Sequence, residues 1–291
     1  MGGVDPELYN TYFYVEDISG EDNELIITKN DYPVWTVLKG KILNLEYSYD
    51  QINWIELNTP TLIGATIHVQ IPPNTKIYLR GENETSEYHN ITCLKNYAIG
   101  GNLLSILYSS DFINKNSVPT NRYDSFAFLF KSSITLIYSH NLILKSEYLT
   151  ERCYLYLFSY CTNMQTSVKN LPAKILNRYC YGDMFTHCYN LINAPIISPY
   201  ERVSYWGVNF NKMFGYCNKL PYLKTYFTMD YNNDRGEGYI FSNWLQNVSP
   251  IGTFLLPVGS TFADDAPRDG SGIPSGWEIK YFNPETDEII N

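Results

Sequence analysis

Clustered positive charge is what this sequence most plainly lacks. Lys+Arg total 21 against Asp+Glu 30, a formal charge of -9, and the basic residues are scattered between acidic ones. Binding to a phosphate backbone requires clustered Lys and Arg that displace condensed counterions, so nucleic acid is not an expected partner. Long apolar runs are missing as well. Stretches such as Leu103 to Tyr108 are far too short to cross a bilayer, and no membrane insertion is expected. The opening residues, MGGVDPELYN, have neither a basic n-region nor an apolar h-region. Met1-Gly2 resembles a myristoylation start, but Pro6 stands where that motif wants Ser or Thr. The expectation is a chain made in a cytoplasm and not exported by a classical route.

Recognisable catalytic frames are also missing. There is no G-x-S-x-G, no H-E-x-x-H, no Walker loop and no G-x-G-x-x-G after a strand. The four histidines, His68, His89, His140 and His187, are scattered one per region. No C-x-x-C occurs, and the adjacent pair His187-Cys188 has no second pair at zinc spacing. Asp230 to Glu237 alternates oxygen ligands like a calcium loop, but Gly236 arrives one position late and no Glu closes it, so it reads as a polar insert. The expected protein therefore has no catalytic residues, no cofactor and no metal. A carbohydrate-active enzyme stays an alternative, because the carboxylate pair of a glycosidase meets only in three dimensions.

What is present is enough to fold. At 291 residues and 44% hydrophobic content, the chain can bury a core of one large or two modest domains. From Tyr9 to about Tyr97 the pattern has period two: Leu43, Leu45, Tyr47 and Tyr49 form one alternating set, and Ile67, Val69 and Ile71 another. Further strands are predicted at Tyr12 to Val15, Leu25 to Thr28, Trp54 to Leu57 and Ile77 to Arg80. Short strands at this spacing predict an antiparallel β-sandwich over residues 1–98, with His68 on a solvent face.

The second half repeats. Cys153-Tyr154-Leu155-Tyr156-Leu157-Phe158-Ser159-Tyr160-Cys161 aligns with Cys180-Tyr181-Gly182-Asp183-Met184-Phe185-Thr186-His187-Cys188 at a constant offset of 27. Asn209 to Cys217 makes a third copy and Ser125 to Ser133 a degraded earlier one. Leu136, Met164, Leu191 and Leu220 each lie three residues past the closing position. Such a period predicts a solenoid, whose units cannot bury their apolar edges alone and so stack equivalent side chains into ladders. Cys161, Cys188 and Cys217 fall in one ladder with Ser133 at its end, Cys153 and Cys180 in a second, and Phe130, Phe158, Phe185 and Phe214 in a third. Cysteine suits a buried ladder because it is small, apolar and needs no hydrogen-bond partner there. Disulfide staples and a thiolate metal site are the alternatives, and Ser133 and Asn209 at ladder positions argue against paired sulfurs. Tyr156, Tyr160, Tyr189 and Tyr216 look less regular and are the candidate recognition surface, since tyrosine offers flat amphipathic contact area.

The segments CYGDMFTHCYNLINAP and NFNKMFGYCNKLPYL resemble the C-Y-x-x-M-F-x-x-C-x-x-L-x-x-A-P repeat of BspA-like leucine-rich repeat proteins of gut Bacteroidales and their phages. Gly100-Gly101-Asn102-Leu103-Leu104-Ser105 is similar to the opening of that array. Phe241 to Leu245 with Gly252-Thr253-Phe254 resembles its exit, and Gly272-Ile273-Pro274-Ser275-Gly276-Trp277 its closing strand. Leu45 to Asp50 with Trp54, and Tyr78 to Gly81, resemble the β-rich module that precedes it. Departures are the missing Ala-Pro element in the first and third repeats and a longer, more acidic insert from Thr225 to Tyr239. The resemblance implies a mainly β protein with an anchoring or presenting sandwich (1–98), a leucine-rich-repeat-like solenoid (99–262) and a C-terminal cap (263–291).

The function expected from these features is structural and adhesive. An exposed repeat module without an export signal suits a bacteriophage virion protein, such as a fibre, appendage or decoration component. Its partners would be other virion proteins, copies of itself, with a trimer as the working expectation, and a host surface glycan or protein. The alternative is a secreted or cell-surface adhesin of a Bacteroidales bacterium.

Overall fold

The computed structural model describes residues 5–30, 43–58, 62–85, 89–120, 123–198, 202–203, 209–227, 241–260 and 272–290. Within these the protein is mainly β, and its C-terminal part is a β-solenoid of about 4 turns.

The first part is built from β1 (Phe13–Asp17), β2 (Asn23–Lys29), β3 (Leu45–Ser48), β4 (Ile55–Leu57), β5 (Thr66–Ile71), β6 (Lys76–Arg80), β7 (His89–Cys93) and β8 (Tyr97–Asn102). Alternation fixes their faces: in β5, Val69 and Ile71 are buried while Thr66, His68 and Gln70 are exposed. His68 lies on the solvent face as expected, bonded to Glu24 at 2.9 Å. Leu43 and Tyr49 fall outside β3, and β7 and β8 went unread in the sequence because His89-Asn90 and Gly100-Gly101 break the apolar pattern.

The strands form a six-stranded sheet, ordered β4-β3-β6-β1-β8-β9, and a three-stranded sheet, ordered β5-β2-β7, where β9 is Leu136–Ile143. Phe13, Val15, Ile77 and Leu79 from one and Leu25, Ile27, Val69 and Ile91 from the other share one core. Each such side chain contributes about 1.5–3 kcal/mol by leaving water. All pairings here are antiparallel except β8 with β9, which is parallel. The expected division between residues 98 and 99 falls inside β8, whose one edge pairs with β1 and whose other edge carries the first solenoid strand. Glycine is required where β8 crosses β1. A Cβ on Gly100 would meet the Tyr14 hydroxyl, and one on Gly101, at φ +73°, would meet the Tyr12 carbonyl.

Beyond a short helix α1 (Ser105–Tyr108), the solenoid is laid down in rungs. Very short strands hold one side of it: β10 (Tyr148–Leu149), β12 (Ile175–Leu176) and β14 (Arg202–Val203) pair in parallel, as do β11 (Asn170–Leu171) and β13 (Ile196–Ile197). The far end is a sheet of β15 (Tyr222–Lys224), β16 (Gly252–Pro257), β17 (Trp277–Phe282) and β18 (Ile289–Ile290). There β17 continues the parallel stack and β18 turns back antiparallel. The Lys224 ammonium, buried beneath this end, pairs with Asp287, which also accepts from the Tyr226 hydroxyl at 2.6 Å.

Candidate functional site

The repeated motif folds as a chain of consecutive turns, not as a strand. Asp124, Phe128 and Ser132 all have positive φ, as do Arg152, Tyr156 and Tyr160, then Tyr179, Asp183 and His187, then Lys212 and Tyr216, then Asn243 and Asn247. A left-handed residue at every fourth position divides the backbone N–H groups into two sets. One set closes turns within the rung, as in Leu157 N–H to the Tyr154 carbonyl at 3.2 Å. The other reaches the next rung, as in Phe158 N–H to the Met184 carbonyl at 2.9 Å. Buried backbone groups are thereby satisfied without a continuous strand.

The inter-rung bonds set the register. Phe214 N–H bonds the Trp244 carbonyl and Tyr216 N–H the Gln246 carbonyl, so residues 241–248 form a fifth stacked rung where the sequence suggested only the exit of the array.

Inside, the predicted phenylalanine ladder stands. Phe130, Phe158, Phe185 and Phe214 stack at centroid spacings of 5.5, 5.3 and 5.5 Å and are fully buried. A parallel ladder runs Phe126, Tyr154, Tyr181, Phe210, Phe241. All six cysteines are buried and free, so the disulfide alternative falls. The thiols of Cys161, Cys188 and Cys217 do have partners: each donates to the carbonyl of Phe130, Phe158 or Phe185 one rung back, at 3.0–3.1 Å. Burial pushes these thiols well up, Cys161 to about 12, so they remain protonated donors. At the head of the ladder Ser133 replaces cysteine because its neighbours are hydroxyls, Tyr97 at 2.7 Å and Thr92 at 2.5 Å. In the second ladder, Cys153 and Cys180 are fully buried between Ser125 and Asn209, whose side-chain polar atoms have no partner among the described residues.

The left-handed positions carry their side chains to the opposite face, in columns. One column reads Ser132, Tyr160, His187, Tyr216, Asn247. Here Tyr160 stacks on His187 at 4.3 Å and 6°, and His187 on Tyr216 at 4.5 Å and 13°. Tyr189 meets His187 edge-on at 5.7 Å. Three of the four predicted recognition tyrosines thus converge on a histidine that the sequence reading had left unused. The signal lay in the alignment, since His187, Tyr160 and Tyr216 each precede a ladder cysteine; these tyrosines are regular, not irregular. Burial and the nearby Lys212 charge hold His187 below its ordinary value, which keeps the ring neutral near pH 7.

The fourth, Tyr156, belongs to the neighbouring column with Phe128, Asp183 and Lys212. Its ring stacks on Phe128 at 5.2 Å, and the Lys131 ammonium lies 5.0 Å from its centre. Burial raises the Asp183 carboxyl to about 6, against the pull of Lys212, the Tyr156 hydroxyl and Lys131. The face therefore offers aromatic rings and, at Asp183, a carboxyl with raised proton affinity beside lysines, an arrangement suited to contact and hydrogen bonding.

Among the described residues, no group of three or more His, Cys, Asp or Glu side chains is placed to hold a metal ion, and no helix is long and apolar enough to cross a membrane. The Asp230 to Glu237 stretch lies outside the described residues. The class that fold and site define is a β-solenoid with an aromatic surface column. Comparison with protein-family models, with curated proteins and with solved structures found no match to this chain.

Proposed function

We propose that the chain is a non-enzymatic structural and adhesive protein whose repeat face binds a host cell surface. The observation that carries this reading is the aromatic column Tyr160–His187–Tyr216, exposed at Tyr160 and half-buried at the other two, held on a backbone that hydrogen bonds lock rung to rung. Binding surfaces are enriched in rigid aromatics because these give large contact area at low entropic cost. The resemblance of the Cys-Tyr-x-x-Met-Phe repeats to BspA-like leucine-rich repeats supports the same role. On this reading the two N-terminal sheets act as a sandwich-like anchor, residues 99–262 present the contact face, and residues 263–291 cap it.

The setting we put first is a bacteriophage virion, as a fibre, appendage or decoration component assembled with other virion proteins and with copies of itself, a trimer being the working oligomer. The surface of a Bacteroidales bacterium is the second setting, since the resembling repeats belong to both. Mass spectrometry of purified virions and of outer-membrane fractions separates them. Recovery from particles supports the virion; detection only in membranes of uninfected cells sinks it. Adhesion itself is tested by binding of the labelled protein to host cells, with Tyr160→Ala and Tyr216→Ala expected to reduce it.

A further inference from the structure

The aromatic column stops short at its upper end, and the stop leaves a ring face free. Rung-to-rung bonds run from Ser132 N–H to the Ser159 carbonyl, from Tyr160 N–H to Thr186 and from His187 N–H to Gly215, so Ser132, Tyr160 and His187 are column mates. Tyr160 lies within 6° of parallel to His187 and covers one of its own faces with it. Its other face looks toward the rung where the column residue is Ser132, too short to stack. Tyr160 is accordingly 41% exposed, the most open ring of the three. Ile134, two residues past Ser132 in the chain, is 57% exposed. The notch is therefore one rung high, floored by a tyrosine ring and edged by a serine.

We propose that this notch binds one pyranose ring of a surface glycan, seated where a fourth ring of the column would lie. Three features select that chemistry. Spacings of 4.3 and 4.5 Å within the column show the separation at which a flat group stacks here, and the C–H face of a pyranose makes the same kind of contact with an aromatic ring. The hydroxyl of Ser132 both donates and accepts, matching sugar hydroxyls. Both residues that define the notch, Ser132 and Tyr160, are uncharged. Lys131, next to Ser132 in the chain, lies over the Phe128 and Tyr156 rings at 5.3 and 5.0 Å and in the field of Asp183. An uncharged polyhydroxylated ring is the complement of such a site, whereas an anionic group finds no fixed partner in it. This inference rests on the repeat face being the recognition surface, and it names the ligand class of that face.

The test uses the full chain and methyl glycosides of glucose, galactose, mannose and N-acetylglucosamine, read by saturation-transfer NMR, with arginine methyl ester as a planar cationic probe. At least one glycoside is expected to bind with a Kd of about 1 mM or weaker, as befits a single ring. Ser132→Tyr fills the notch and should weaken that binding about tenfold or more. It should do so without loss of fold, because Tyr160 already occupies the same left-handed backbone at φ 62°, the value at Ser132. Tyr160→Ala should abolish binding, and Tyr222→Ala, at a site outside the column, should leave it unchanged. The proposal is overturned if no glycoside binds at tens of millimolar, if Ser132→Tyr binds as wild type, or if only the arginine ester binds and is displaced by Ser132→Tyr, which would assign the notch to a protein partner. Host-cell binding is measured in parallel. Adhesion that survives in Ser132→Tyr removes the notch and keeps the adhesive reading, while glycoside binding without any cell binding removes the reading and keeps the notch.

Discussion

Replacing Phe185 with alanine should destabilise the protein more than any change on its outer face. The ring is fully buried and stacks on Phe158 at 5.3 Å and on Phe214 at 5.5 Å, so the substitution opens a void in the middle of the array. A buried Phe→Ala change costs about 3–5 kcal/mol from transfer and cavity, and two lost ring pairs add about 0.5–1.5 kcal/mol each. Partial collapse of neighbours recovers some of this, which puts the expectation at about 4–6 kcal/mol, a large part of the 5–15 kcal/mol typical of a whole domain. Because each rung contacts only its neighbours, the loss should also divide the solenoid energetically. Urea unfolding followed by far-UV circular dichroism and by tryptophan fluorescence measures both effects, since Trp54 lies before the ladder and Trp244 and Trp277 after it. Phe185→Leu, which preserves much of the volume, should cost about 1–2 kcal/mol. Tyr160→Ala, on the outer column, should cost under about 1 kcal/mol. The reasoning is refuted if Phe185→Ala costs less than about 1.5 kcal/mol, or no more than Tyr160→Ala.

Asp183 should make stability depend on pH in the sense opposite to an ion-paired carboxylate. Its folded value of about 6 lies above the ordinary 3.8, so the folded state binds the proton more tightly and stability falls as pH rises from about 4 to 6. That difference corresponds to ~3 kcal/mol as an upper bound, and about 1–2 kcal/mol once partial exposure is allowed for. Melting temperature against pH should fall across that window in the wild type and be flatter in Asp183→Asn; equal slopes would remove the assignment. Asn209 is buried in a cysteine ladder with its amide unbonded among the described residues. Asn209→Cys should therefore stabilise by about 1–2 kcal/mol, read as a raised urea midpoint, and a destabilised variant would show that the amide is needed. Of three glycosylation sequons, two are closed by packing. The Asn83 amide is held by the Asn44 and Ile106 carbonyls, each at 2.8 Å, and Asn90 by those of Phe128, Leu129 and Lys131. Asn247 alone is exposed. Passed through a glycosylating secretory host, the protein should gain one glycan at Asn247, and peptide mapping that finds glycans on Asn83 or Asn90 would contradict the packing.

The repeat is a local pattern, and its inward half could be read directly. A phenylalanine, a small closing residue and an aliphatic recur because each rung must bury the same shape against the next, so Phe158, Cys161 and Met164 announce their positions by composition alone. Alternation in β2, β5 and β6 was legible for the same reason, since one face of each strand meets the core. The outward half was legible only as equivalent positions, since Tyr160, His187 and Tyr216 each precede a ladder cysteine. That their rings face one another was not legible, because only the left-handed turn at every fourth residue brings them into one stack.

The sequence alone determined that units of this composition must stack, because no single rung can bury its own edge. Only the tertiary structure decided how. The parallel joining of β8 to β9 welds the first part to the solenoid, and the Ser133 hydroxyl meets Tyr97 and Thr92 at that weld. These are pairings between residues about 40 positions apart, set by which backbone edges remain free after local structure has formed. A free edge has no signature in the local run of side chains. The open face of Tyr160 arose the same way, from the register that places Ser132 beside it.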